Sequence, residues 1–200
     1  MTSEVDQEVV QLVVYERLLF LVDVQNLFYS ARDAYGLASR VDFRKLKEAA
    51  LNGRKFKHIV CKAYFAAKPG EKPDEFIRAL EKLYYEVELI SIREHEKGSP
   101  SSTNIDVALA IDAYNIKVSG KDPDIVVVAS GDSDFTPVYD SMRSRGIRTE
   151  ILSFPGSLAA SVVDKVDEVR YLDREYLFEE FDRKDKTLKK KNSVVEPVVE

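Results

Sequence analysis

One cysteine, two histidines and few glycines in 200 residues remove several classes of chemistry at once. The single cysteine, Cys61, can form neither an intramolecular disulfide nor a Cys-rich zinc site, and it favours a reducing compartment, the cytoplasm. Set in an apolar stretch, it reads as a small buried hydrophobe. His58 and His95 have no spacing that pairs them with a partner, which argues against histidine-based acid–base catalysis. A glycine-rich phosphate loop is missing, so a nucleotide-binding module of that type is poorly supported. No apolar run approaches the length of a membrane span. The first residues also lack the basic region, apolar core and cleavage site of a secretory signal.

What is present is globular. Hydrophobic residues make up 44% and charged residues 32%, and a chain of this length fits one domain with a sizeable core. The net charge of −5 excludes a polyanion binder that works by bulk charge. Its distribution is uneven: residues 182–200 carry +2, leaving −7 on residues 1–181. An acidic body suits a metal site built from carboxylates. It suits nucleic acid only where a metal or a local basic patch offsets the repulsion.

The apolar runs at 18–22 and 125–129 read as buried strands; 57–67, with Lys62 inside it, 87–92 and 147–152 read as further strands, with a short sixth at 169–172. Helical segments are expected at 27–34, 43–51, 73–85, 104–117, 135–145, 158–164 and 175–181. Asp42 is a plausible N-cap, Pro73 a first-turn residue and Gly146 a C-terminal stop. Strands that alternate with helices, without hairpin signals, give an α/β class: a three-layer sandwich around a mostly parallel, five- to six-stranded sheet of Rossmann-like topology. Residues 1–17 form an N-terminal extension, 18–181 the domain, and 182–200 a charged, poorly ordered tail.

The functional signal lies at strand ends. The run Val126–Ala129 stops at Ser130-Gly131-Asp132-Ser133-Asp134-Phe135, two aspartates placed just beyond a strand. Asp23 closes the first strand. In a doubly wound order 3-2-1-4-5, strands one and four are neighbours, and their carboxyl ends flank the crevice where ligands sit. Asp23, Asp132 and Asp134 would meet there. Asp106 has two readings: a helix-start residue three positions after Thr103, or a fourth carboxylate reaching the same crevice. Asp112, further along that helix, reads as a structural hydrogen-bonder. Asn26 either caps the helix after strand one or orients a ligand. Ser130 and Ser133 are turn residues or phosphate contacts.

Three stretches, Leu21-Val22-Asp23-Val24-Gln25-Asn26-Leu27, Asn104-Ile105-Asp106-Val107-Ala108-Leu109-Ala110-Ile111-Asp112-Ala113 and Ser130-Gly131-Asp132-Ser133-Asp134-Phe135, resemble in order the motifs of the NYN domain family. The branch resembled is the LabA-like (DUF88) group of the PIN-like nuclease superfamily. Arg170-Tyr171-Leu172-Asp173 is similar to that group's closing strand. The resemblance implies a PIN-like fold and a nuclease site in which Asp23, Asp106, Asp132 and Asp134 bind Mg²⁺ or Mn²⁺, with Asn26 beside the first. The substrate it implies is RNA. One departure stands out. The family often has Lys-Gly before the second motif's aspartate, where this chain has Thr103-Asn104. The nearest Lys-Gly here is Lys97-Gly98.

The expected activity is therefore metal-dependent hydrolysis of RNA, with one or two ions activating water and neutralising the phosphate. Oxygen-only ligation favours Mg²⁺ or Mn²⁺ over zinc. The alternative is a PIN-like module that binds RNA or protein without cutting. Another phosphoryl-transfer enzyme fits less well: position 25 is Gln, so strand one lacks the Asp-x-Asp of aspartate-nucleophile phosphatases. Basic residues that could grip single-stranded or structured RNA are Arg44, Lys45, Lys47, Lys68, Lys72, Lys97 and Lys189–Lys191. No membrane partner is expected, and a homodimer is left open.

Overall fold

The computed structural model describes residues 15–67, 73–91 and 103–178. Six strands are seen: β1 (Arg17–Asp23), β2 (His58–Ala67), β3 (Glu86–Ser91), β4 (Ile125–Ala129), β5 (Arg148–Ser153) and β6 (Glu168–Tyr171). They form one sheet in the order β3-β2-β1-β4-β5-β6, each neighbour pair parallel. The helices are α1 (Val24–Tyr35), α2 (Phe43–Leu51), α3 (Asp74–Glu81), α4 (Thr103–Asn115), α5 (Thr136–Ser144) and the short α6 (Ala160–Val163). The sheet is the expected one, and the doubly wound order extends to the sixth strand.

Alternation along β1 explains the three layers. Leu18, Phe20 and Val22 face Leu27 and Ala31 of α1, Leu46 and Ala50 of α2 and Leu80 of α3. Leu19 and Leu21 point the other way, into a cluster with Leu109 of α4, Met142 of α5 and Val162 of α6. Successive strand side chains take opposite faces, so a strand covered on both sides must be apolar at every position. Each such side chain contributes about 1.5–3 kcal/mol by leaving water.

Helix ends follow sequence chemistry. The Asp42 carboxylate accepts the Arg44 and Lys45 N–H groups at 2.9 and 3.3 Å. Gly146 takes φ +71° after α5, and the N–H of Ile147 returns to the Met142 carbonyl at 3.1 Å, a closing turn that glycine permits without a Cβ penalty. Three expectations need correction. α1 begins directly after Asp23, which caps it, so Asn26 lies in the first turn and is not the cap. The helix expected to reach residue 85 ends at Glu81, because Tyr84 adopts φ +62° and Tyr85 turns inward. The last segment is a 3₁₀ turn, Arg174–Tyr176, after which Leu177 bridges to Val41 in antiparallel fashion. Most of the polar loop 93–103, the Lys-Gly pair within it, Lys68, Lys72 and the 182–200 tail lie outside the described residues.

Two charge clusters, one half-buried and one centred on a buried carboxylate, brace this frame. Lys62, a charge inside β2, bonds Asp112 of α4 and reaches Glu88 of β3 at 3.2 Å. The Tyr64 hydroxyl donates to the same Asp112 carboxylate at 2.7 Å, so Asp112 is a structural acceptor, as its sequence context suggested. Glu150 of β5 is fully buried. Arg54 holds it with two bonds of 2.6 and 2.8 Å, and Arg148 and Arg170 each add one at 2.7 Å. Burial alone would raise the Glu150 pKa, yet the Arg54 and Arg148 hydrogen bonds keep it below the ordinary carboxylate value.

Candidate metal centre

The crevice is made by two neighbouring strands that end together. β1 and β4 pair up to Val22 and Ala129, so Asp23 and Ser130 begin the two exits side by side. Asp23 is buried, and its Oδ1 accepts the Asn26 N–H at 2.9 Å as the cap of α1. After β4 the chain turns at once. Asp132 caps the 3₁₀ turn Ser133–Phe135 by accepting the Asp134 N–H at 2.9 Å, and Phe135 plugs into the core. The turn thus points two carboxylates outward from a rigid anchor.

Asn26 and Gly131 lock the two exits together. The Asn26 Oδ1 accepts the Gly131 N–H at 2.9 Å. Gly131 in turn lies against the loop before α6: its carbonyl accepts the Ala159 N–H at 3.2 Å. A Cβ at position 131 would stand 2.4 Å from the Ser157 carbonyl oxygen, so only glycine fits this approach. Ser130 is buried and its Oγ accepts the Asp132 N–H at 3.3 Å, which is turn chemistry. Ser133 is exposed at the start of the 3₁₀ turn.

Three carboxylates converge. Oxygens of Asp106, Asp132 and Asp134 all lie within 4.8 Å of one another. Of the two readings of Asp106, its place in the first turn of α4 satisfies both, since that turn opens onto the crevice. Asp23 stands outside this set of three but within reach of its charge. Burial raises its pKa to about 6, with the charges of Asp106 and Asp132 adding to the effect and the Asn26 N–H opposing it. Burial also raises the Asp106 pKa, helped by Asp132 and Asp134. Among the described residues, none of the four carboxylates has a lysine or arginine partner.

This donor set fits a hard divalent cation. It offers oxygen only, carries uncompensated negative charge and is split between rigid elements. A further polar atom waits nearby. Tyr139 of α5 is buried with its hydroxyl unpartnered among the described residues, and the Asp132 charge reaches it. Neither Tyr139 nor Gly131 stood out in the sequence, where one reads as an apolar stripe residue and the other as an ordinary turn glycine.

The basic residues suggested for RNA have other work in part. Lys45 donates to the Glu175 carbonyl at 2.8 Å and Lys47 to the Leu83 carbonyl at 2.9 Å, whereas Arg44 is exposed.

The NYN domain model matches residues 17–173, and the chain belongs to the NYN domain family. That family carries a nuclease-type fold. A crystal structure of a protein of unknown function from Vibrio parahaemolyticus is similar, with a TM-score of 0.69 and 27% sequence identity over 82% of this chain and 97% of that one. No protein with a curated description matches the sequence. Among the described residues, no helix is long and apolar enough to cross a membrane.

Proposed function

We propose that the protein is a metal-dependent ribonuclease, with Mg²⁺ or Mn²⁺ held by Asp106, Asp132 and Asp134 and with Asp23 completing the site. The observation that carries this is the convergence of three carboxylates, unpaired among the described residues, beside a fourth, buried one, at the switch point of a parallel sheet in an NYN chain. A bound divalent cation supplies Lewis acidity toward water and phosphate and offsets the negative crevice.

The chain's own residues do the rest. The Asp132–Asp134 turn, anchored by Phe135, fixes two ligand carboxylates relative to α4. Asp23 commits Oδ1 to the helix cap, leaving Oδ2 as the atom that holds or releases a proton. Ionised, Asp23 can accept a proton from water through that atom. The Asn26 amide nitrogen and the Ser133 hydroxyl are donors for substrate oxygens at the same junction, and Ser130 sets the turn that places them.

The test is incubation of the full chain with single-stranded RNA and Mn²⁺ beside Asp23→Asn. Cleavage by the wild type alone supports the proposal. Equal cleavage by both proteins indicates a contaminant, and RNA binding without cleavage by either points to the alternative, a non-catalytic PIN-like module.

A further inference from the structure

An apolar groove of about 620 Å³ runs between α1, the segment before α2, and α3. Its wall includes Val24, the residue directly after Asp23, and Phe28, one helical turn (about 6 Å) further along α1. Phe76 lies in the groove and packs edge-on against Phe43, with ring centroids 5.6 Å apart. Phe178 lines it too, held in place by its N–H donating to the Arg40 carbonyl at 2.9 Å. Phe28 and Phe178 leave 39% and 59% of their surface exposed, unusual for rings that border a cavity.

The groove also has a charge pattern. Arg32 stacks over Phe28 at 4.6 Å from the ring centroid, and Arg40 sits on the same wall. Among the described residues, neither guanidinium is in an ion pair. Arg32 covers one face of Phe28 and donates its Nε–H to the Leu37 carbonyl at 2.8 Å, which leaves the rest of Phe28 and the Phe178 ring open. Two guanidiniums outside any ion pair among the described residues, on a body that is otherwise acidic, match an occupant that is flat, aromatic and anionic at its edges.

We infer that this groove is a base-binding subsite for single-stranded RNA. One unpaired nucleobase enters between Phe28 and Phe178 while its flanking phosphates meet Arg32 and Arg40. Base–aromatic stacking with cation–π help from arginine is the general grip on single strands, and it needs no basic net charge. Val24, which lines the groove, directly follows Asp23 in the chain, so the groove begins at the same end of α1 as the carboxylate site. The subsite rests on the ribonuclease reading, and what it adds is the place on the fold where one unpaired base is held.

The test uses the full chain in metal-free buffer, so that binding is read without hydrolysis. A short single-stranded RNA is compared with a series in which one base at a time is replaced by an abasic site. One position should stand out, with Kd raised about tenfold, the size of one stacking contact. Phe28→Ala and Phe178→Ala should each erase that positional difference. Phe178 is mostly exposed and Phe28 is 39% exposed, and circular dichroism with a urea midpoint would verify that both variants fold. The Arg32→Gln/Arg40→Gln pair should weaken intact RNA and flatten the salt dependence. Equal affinity for every abasic RNA, or a positional effect that survives both phenylalanine changes, overturns the subsite and leaves the nuclease reading intact. No binding of any RNA, either in metal-free buffer or to Asp23→Asn with Mn²⁺ present, overturns both.

Discussion

The side-chain oxygen of Asn26 accepts the backbone N–H of Gly131, 105 positions later in the chain, at 2.9 Å. One neutral hydrogen bond thus joins the exit of β1 to the exit of β4. Asn26→Ala would leave the buried Gly131 N–H without its partner, at a cost of about 1–3 kcal/mol. Urea unfolding should show the loss as a lower midpoint with an unchanged slope. RNA cleavage should fall further than stability alone explains, since the two carboxylate-bearing exits lose their tie.

Gly131→Ala should be damaging for a different reason. Its new Cβ would meet the Ser157 carbonyl oxygen and carbon at 2.4 and 2.6 Å, and backbone has little room to yield. An overpacking cost of about 1–3 kcal/mol is expected, together with displacement of Asp132. Alanine at Gly53, where no atom lies within 4 Å of the added Cβ, is the comparison that separates clash from the general effect of removing glycine, although its positive φ brings strain of its own. A melting temperature for Gly131→Ala equal to wild type would refute the packing account.

The buried carboxyl of Asp23 makes metal-free stability depend on pH. The group keeps its proton to about pH 6 in the fold but only to about 4 in the unfolded chain. A pKa raised on folding favours the native state at low pH, and that contribution disappears as the pH rises from about 4 through about 6. The gap between 3.8 and about 6 corresponds to about 3 kcal/mol. Asp23→Asn, which resembles the protonated form, should therefore be more stable than wild type at pH 7 without metal, and this difference should vanish near pH 4. Parallel pH–stability curves for the two proteins would contradict the assignment.

Divalent metal should reverse that weakness. Mg²⁺ or Mn²⁺ binding only the folded site stabilises the fold by mass action, by about 2.7 kcal/mol at a hundred times Kd, and so raises the melting temperature. The shift should shrink sharply in Asp132→Asn. Glu150→Gln provides the contrast: it weakens a buried clamp of three arginines and should lower stability by up to about 3–5 kcal/mol, yet keep the metal-induced shift. Equal metal shifts in wild type and Asp132→Asn would remove the metal site.

Much of the frame is legible in the sequence because a parallel sheet covered on both faces writes itself as uninterrupted apolar runs. Leu18–Val22 and Ile125–Ala129 are such runs, and the aspartates after them inherit their position from the strand order. The rest leaves no periodic trace. That Asn26 braces Gly131 instead of capping its helix depends on a partner a hundred residues away. That Asp23 stands apart from the three-carboxylate set depends on burial, which spacing does not reveal. Nothing in the sequence marks Glu150, inside the fifth strand, as the centre of a clamp that Arg54, Arg148 and Arg170 close from three separate segments. The groove beside α1 is likewise invisible, since Phe28, Phe76 and Phe178 meet only once the helices pack.

The placement of β1 at the centre of the sheet has a consequence for synthesis. Chains emerge from the ribosome N-terminus first, at about 5–20 residues per second, so Asp23 appears long before Asp132. β1 has no β4 to pair with until residues 125–129 have been made, and the Asn26–Gly131 bond cannot close until then. For most of its time on the ribosome, the nascent chain holds scattered aspartates and no assembled crevice. A nuclease built this way would be born inactive beside the RNA that encodes it.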